Sequence, residues 1–324
     1  MSLSEHERIE VLRGLLSGRP IPGLTLGIGD DAAVLSPVAE SLVWTVDAAV
    51  EGVHFRFDLL GPRAVGYRAT MAAASDLGAM GARPLGLLSS LILPPTFEDE
   101  ALFELARGQR EAAEALGTAV VGGNLARGPS VSITTTALGA ASTPLTRSGA
   151  RAGDELWLCG AVGLAAAGLA LLLEGRREPL TPAEGLALES FLRPRARIPE
   201  GLELAEKASA AIDLSDGLAQ DLGHLVKASG VSARLEPRTL VSEALREVAS
   251  SLGRDPLRLA LEGGEDYALL FSAPPGAGLE GDPRWSKIGS LHPCEAGPPL
   301  ALAQEDGDLQ VLRTKGWDHF RSTP

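Results

Sequence analysis

Three times along this chain of 324 residues an apolar run ends on an aspartate, and no other feature narrows the possible folds as much. The first instance is Gly27-Ile28-Gly29-Asp30-Asp31-Ala32-Ala33-Val34 and the second is Ser41-Leu42-Val43-Trp44-Thr45-Val46-Asp47. The third, Ala211-Ile212-Asp213-Leu214-Ser215-Asp216-Gly217, repeats the grammar late in the chain. The pattern reads as strands delivering carboxylates to turns, with glycine letting the backbone bend tightly. Adjacent charges such as Asp30 and Asp31 repel, and a sheltered turn gains nothing from them unless a cation is held there. Hard divalent ions such as magnesium favour carboxylate oxygens. An isolated Asp-Asp is ordinarily a solvated acidic turn; recurrence is what favours the metal reading.

The length suits two domains, and the chain changes character at the polar link Leu145–Asp154, which places a boundary between 1–145 and 146–324. With 38 Gly, 22 Pro and 4% aromatic residues, the cores must be packed from small aliphatic side chains. A net charge of −13 argues against nucleic acid or an anionic membrane surface as partner, though not against a nucleotide bridged by metal ions. Cys159 and Cys294 suggest no disulfide scaffold. The charged amino terminus lacks a signal-peptide core, and no apolar run approaches the ~20 residues needed to cross a bilayer. The expectation is a soluble, cytoplasmic protein.

In chain order, Ile9, Leu12, Leu15 and Leu16 fall at helical spacing behind a capping box formed by Ser4 and Glu7. Residues 62–82 read as a slim helix of Ala and Gly, suited to close packing on a sheet, with Asp76 as a charge that needs a partner or a metal. A strand over 85–93 stops at Pro94-Pro95, and 97–116 is an amphipathic helix. Strands follow at 118–121, running into Gly122-Gly123-Asn124, and at 131–138. In the second half the reading gives a strand at 155–159, a buried helix over 161–173 and a loop at 175–184. After Asp213 comes a helix with Leu218, Leu222, Leu225 and Val226 on one face, capped by Ser215 or Asp216. Gly263-Gly264-Glu265-Asp266-Tyr267 precedes a strand at 268–271.

No Gly-x-x-x-x-Gly-Lys-Ser/Thr is present, which argues against a Walker-type kinase. Gly27-x-Gly29-x-x-Ala32 matches the loose dinucleotide fingerprint, but Ala33–Pro37 reads as a strand where a helix should open, and two carboxylates would repel a pyrophosphate. There is no evident Ser-His or Cys-His pair and no His-rich zinc pattern. What remains is Asp30, Asp31, Asp47, Asp76, Asp213 and Asp216 with Asn124. That set suits magnesium ions bridging a polyphosphate, since phosphoryl transfer needs mainly positioning and charge neutralisation.

Taken together, Gly29–Val34, Asp47 with Val50–Phe55, Ser75-Asp76 with Ala79–Pro84, Gly122-Gly123, Leu145–Ala150, Asp213–Leu218 and Gly263–Tyr267 resemble the thiamine-monophosphate kinase family. Seven matches in order cover nearly the whole chain. The resemblance implies an α/β (α+β) two-domain fold like that of aminoimidazole-ribonucleotide synthetase. In it the N-terminal metal- and ATP-binding domain pairs across a homodimer. It also implies transfer of the ATP γ-phosphoryl group to thiamine monophosphate. On that resemblance Asp30, Thr45, Asp47, Asp76, Asp213 and Asp216 would hold several Mg2+ ions. Gly123, Arg147 and Ser215 would contact ATP, and His54, Glu265 and Trp317 would line the thiamine phosphate side. Asp47, Asp76, Arg147 and Asp216 would carry catalysis.

Two positions depart from the family pattern. Asn124 stands where the family usually has Asp, which removes a charge yet leaves a carbonyl oxygen able to coordinate. Val46 stands where a hydroxyl residue is common, so only its backbone carbonyl could serve a metal. The chemistry agrees independently: a phosphate monoester, with second pKa near ~6, is largely dianionic at neutral pH and needs no general base. The rivals are a sister ATP-using enzyme of the same fold and a non-catalytic ATP-binding paralogue. The selenide and hydrogenase-maturation relatives would favour a Cys near the amino and carboxyl ends respectively, and this chain has neither.

Overall fold

The alternation of small apolar residues along the first half builds a four-stranded sheet with one face dry and the other free. The structure, a computed structural model, describes residues 3–16, 21–28, 32–304 and 307–313. The chain forms two compact units, one from residues up to Leu77 together with Ala82–Pro144, the other from Gly78–Gly81 with the residues from Leu145 onward.

The first unit runs α1 (Glu5–Leu16), β1 (Leu24–Leu26), β2 (Val34–Leu35), β3 (Ser41–Val50), α2 (Pro62–Ala79), β4 (Arg83–Leu93), α3 (Asp99–Ala115), β5 (Val120–Arg127) and β6 (Ser132–Ala141). The capping box at α1 forms: the Ser4 amide donates to Glu7 Oε2 at 2.7 Å, and the Glu7 amide to Ser4 Oγ at 3.3 Å. The main sheet has the order β3-β6-β4-β5, with β4 and β5 parallel and the other pairs antiparallel. Register aligns Asp47, Thr135, Ser89 and Gly123 in one row, and Ala48, Thr134, Ser90 and Asn124 in the next. Neighbouring rows face opposite sides of a sheet.

The Asp47 row faces α2 and α3. Gln109 of α3 donates to Ser89 Oγ at 2.7 Å, and Leu87, Ile133 and Ala137 on this side are fully buried. The slim profile of α2 lets α3 come very close: a Cβ added to Gly66 would lie 2.0 Å from the Leu105 carbonyl oxygen, and one on Gly108 1.9 Å from that of Arg63. The opposite face is bare along β3, where Leu42, Trp44 and Val46 are 62%, 72% and 62% exposed.

The second unit runs β7 (Glu155–Cys159), α4 (Leu164–Leu173), α5 (Pro182–Leu192), α6 (Ile198–Leu204), β8 (Ala210–Asp213), α7 (Leu218–Ser229), β9 (Val231–Leu235), α8 (Pro237–Leu240), α9 (Glu243–Ser251), α10 (Pro256–Glu262), β10 (Leu269–Ala273), β11 (Trp285–Pro293), β12 (Leu300–Ala303) and β13 (Leu309–Val311). Its sheet has the order β13-β12-β9-β11-β7-β10-β8, with β8 at an edge. Trp157, Cys159, Phe271 and Trp285 share a core, Phe271 and Trp285 meeting edge to face with centroids 5.6 Å apart.

Element boundaries depart from the sequence reading for local reasons. Helix α2 stops at Ala79 because Gly81 turns left-handed at φ 61°, and the Ala82 amide reaches back to the Leu77 carbonyl. Strand β5 continues to Arg127 because its ladder with β4 runs on to Leu93. The expected loop at 175–184 gives way to α5 at Pro182, behind Thr181, whose hydroxyl accepts the Glu184 amide.

Candidate active site

In the first unit the candidate residues gather at β3 and α2. Thr45 Oγ1 donates a hydrogen bond to Asp76 Oδ2, which gives the charge inside the slim helix a partner. Asp47 lies two residues further along the same face, about 7 Å on by strand geometry. It is exposed, and its Oδ1 accepts the Ala48 amide at 2.7 Å. Beyond β3 the chain turns through Gly52 at φ 80°, and the Val50 amide donates to His54 Nδ1 at 3.0 Å. That bond leaves Nε2 as the protonated nitrogen of a neutral ring. Glu51 Oε2 accepts the Val131 amide at 3.1 Å, which ties this turn to the start of β6. Gly123 tolerates no side chain, since a Cβ there would lie 1.9 Å from the Ser89 carbonyl oxygen. Asn124, its neighbour in sequence, is exposed on the free face, opposite to Asp47 and at the other edge of the sheet. Asp30 and Asp31 lie outside the described residues, as does Trp317.

In the second unit β8 ends at Asp213, which is buried, and Ser215 and Asp216 follow half-buried. Neither caps α7. Gly217, at φ 114°, turns the chain between Asp216 and the helix, so the expected cap is not made. Asp221, from inside the first turn, accepts the Asp216 amide at 3.1 Å, while Gln220 Nε2 donates to Asp216 Oδ2 at 3.1 Å. Burial, and then the carboxylates of Asp216 and Asp213, push the Asp221 carboxyl up to about 7. Sequence reasoning missed Asp221, although an acid placed among Leu218, Leu222 and Leu225 was a visible signal. The Arg147 turn is stitched to β8. The Ala211 amide donates to the Thr146 carbonyl at 3.0 Å, and Ser229 Oγ to the Arg147 carbonyl at 2.9 Å. Arg147 itself is exposed.

The segment Gly263–Tyr267 lies against the Asp213–Gly217 loop. The Glu265 amide donates to the Ser215 carbonyl at 2.8 Å and the Tyr267 amide to that of Leu214 at 2.9 Å. A Cβ on Gly264 would come within 2.6 Å of the Ser215 carbonyl oxygen, which explains the glycine. The structure therefore brings Thr45, Asp47 and Asp76 together in one unit, and Asp213, Ser215, Asp216 and Glu265 together in the other.

Among the described residues no three carboxylates, histidines or cysteines form a ready-made metal cluster. The donors present are nonetheless hard oxygens in ones and twos. That is how magnesium is usually held, one or two carboxylates being completed by waters and substrate phosphates. Asp221 is raised chiefly by its burial, and then by the neighbouring Asp216 and Asp213 carboxylates.

Residues 29–141 match the family model described as AIR synthase related protein, N-terminal domain. Thiamine-monophosphate kinase of Escherichia coli K12 is 37% identical over 313 residues, 92% of this chain and 93% of the relative. The enzyme of the same name from Aquifex aeolicus is 35% identical over 297 residues, 90% and 92% of the two chains. Among solved structures, AaThiL complexed with AMPPCP and TMP superposes with a TM-score of 0.80 at 32% identity, covering 99% of both chains. Hydrogenase maturation protein HypE in complex with ATP, at 21% identity and TM-score 0.75 over 96% and 95% of the chains, shares the fold alone. The two-unit α/β architecture is an AIR-synthase-like fold, its N-terminal domain matching that family model. Within that class the chain belongs to the thiamine-monophosphate kinase family. Among the described residues no helix is long and apolar enough to cross a membrane.

Proposed function

We propose that this chain transfers the γ-phosphoryl group of ATP to thiamine monophosphate, giving thiamine diphosphate. The observation that carries the reading is the end-to-end superposition on AaThiL complexed with AMPPCP and TMP. Thr45, Asp47 and Asp76 with Asp30, and Asp213 with Asp216, would hold magnesium ions. Asn124 is a neutral oxygen donor approached from the free face of its sheet. When bound, the ions supply Lewis-acid neutralisation of the phosphate charges. Arg147, the Ser215 hydroxyl and the bare backbone at Gly123 bind and orient the ATP phosphates. Asp47, Asp76, Arg147 and Asp216 are the residues on which the rate depends. The acceptor is already dianionic, so the chain has only to cancel repulsion and align the two phosphates, which is the work of preorganised charge. His54, with Nδ1 accepting the Val50 amide, would donate from Nε2 to an anionic oxygen of the acceptor. Glu265 and Trp317 suit the cationic thiazolium ring of the acceptor.

Support for a homodimer comes from the bare face of β3, since Leu42, Trp44 and Val46 form an apolar strip that water covers poorly. A cytoplasmic setting accompanies the ATP-dependent reading. The test is a coupled assay with ATP and thiamine monophosphate, with and without Mg2+. Magnesium-dependent formation of thiamine diphosphate is expected. ATP binding without turnover would instead favour a non-catalytic paralogue, and turnover of a different acceptor would favour a sister enzyme of the same fold.

A further inference from the structure

Glu265 and Tyr267, at φ 65° and 47°, are the only described non-glycine residues with left-handed backbone, and Asp266 stands between them. Left-handed conformation is disfavoured for side chains of this size, and it persists only where surrounding contacts hold it. The contacts alternate in direction. The amides of Glu265 and Tyr267 bond to the carbonyls of Ser215 and Leu214, whereas the Asp266 side chain bonds to the start of α4. There Oδ2 accepts the Gly163 amide at 2.6 Å and Oδ1 the Ala165 amide at 3.0 Å. Helix α4 has no capping side chain of its own and no acid in its first turn, because its N-cap is Gly163 at φ 82°. Nor can Gly163 be replaced by a capping residue, since a Cβ there would meet the Ala260 amide nitrogen at 2.8 Å. The carboxylate that serves this helix end is thus supplied from about a hundred residues away, by the residue that follows Glu265.

We propose that Asp266 is a positioning residue: by clamping both amides at the start of α4 it holds Glu265 in its left-handed conformation. The backbone bonds from the Glu265 and Tyr267 amides to the Ser215 and Leu214 carbonyls are the contacts whose loosening reports loss of the clamp. The inference deepens the proposed kinase reading and rests on it for the role of Glu265. Asparagine at 266 keeps one acceptor oxygen but turns an NH2 toward the other amide, so one jaw of the clamp becomes repulsive with little change of volume.

The test compares wild-type and Asp266→Asn full-length protein by hydrogen exchange and by steady-state kinetics with ATP and thiamine monophosphate. The Glu265 and Tyr267 amides are expected to exchange at least about tenfold faster, while those of β7 and β10 keep their protection. The KM for thiamine monophosphate is expected to rise at least about fivefold, with that for ATP changing less than about twofold. Unchanged exchange at Glu265 and Tyr267 would overturn the proposal. So would equal weakening of both substrates with lost protection across α4, β7 and β10, because Asp266 would then be a helix cap and no more. A Glu265→Gln variant separates the two readings. If it leaves the KM for thiamine monophosphate unchanged while Asp266→Asn still frees the two amides, the role of Glu265 fails and the clamp stands.

Discussion

The close crossing of α2 and α3 makes Gly66→Ala an informative change, because two opposing effects meet at one atom. In an open helix, replacing Gly by Ala stabilises by up to about 1 kcal/mol through backbone entropy. At Gly66 the new methyl would sit 2.0 Å from the Leu105 carbonyl oxygen, 2.9 Å from its carbonyl carbon and 3.2 Å from its Cα. Atoms of this kind do not approach within about 3 Å, so the helices must part by about 1 Å, and neither backbone can rotate aside as a side chain could. Overpacking of that sort costs on the order of 1–3 kcal/mol, and the gap forfeits dispersion along the rest of the crossing. The net expectation is a loss of ~1–3 kcal/mol in denaturant unfolding of the metal-free protein. A rise in the Mg2+ needed for half-maximal turnover should accompany it, since α2 carries Asp76. Gly14→Ala in α1 is the control, as a Cβ there meets nothing within 4 Å. It should stabilise by ~0.4–1 kcal/mol. If Gly66→Ala proves as stable as Gly14→Ala, the crossing is not packed as described and the reasoning is refuted.

Asp47→Asn is expected to abolish turnover while leaving the circular dichroism and melting of the apoprotein unchanged, since Asp47 is exposed; near wild-type rates would remove it from the metal set. On the proposed pairing through the bare strip of β3, Trp44→Glu should shift sedimentation from dimer to monomer at micromolar chain concentration, and sedimentation equal to that of wild type would remove the strip from any pairing contact. Asp221 carries a pH signature. Its carboxyl is raised to about 7 from the ordinary 3.8, so its contribution to stability is full below about pH 4 and is lost as the pH rises through 7. Asp221→Asn should therefore flatten the stability of the metal-free protein between pH 4 and 8. It should also raise stability at pH 8 relative to wild type by an amount on the order of 2–4 kcal/mol; parallel pH curves for the two proteins would contradict this.

Much of this architecture was legible along the sequence wherever a signal is local. Strand β7 begins and ends where its apolar run does, and Leu218, Leu222, Leu225 and Val226 are all buried on α7 as their spacing requires. Helices α5, α9 and α10 were not read from the sequence, although Thr181, Ser242 and Asp255, each of which accepts an amide of its own first turn, were local signals for them. What was not legible depends on pairing at a distance. Gly123 and Asn124 are neighbours in sequence, yet the β4 ladder sends them to opposite faces, and only register decides which one shares a row with Asp47. Asp266 looks like a spare acid beside Glu265 until α4 is folded against it. Ser215 and Asp216 look like caps until Gly217 turns the chain between them and α7.

The placement of the tryptophans also gives the molecule its own optics. Trp157 and Trp285 are enclosed in the second unit at 4% and 5% exposure, whereas Trp44 stands almost fully in water on the first. Their emission must differ accordingly, blue and shielded for the enclosed pair, red and open to acrylamide quenching for Trp44. With Trp317 changed to Phe, the red component belongs to Trp44 alone. Anything that covers the bare strand then announces itself as a blue shift and a loss of quenching, while the two enclosed indoles report independently on the integrity of the second unit. No dye or tag is required: unfolding of each half, and any covering of the Trp44 strip, can be followed in one cuvette from the intrinsic spectrum.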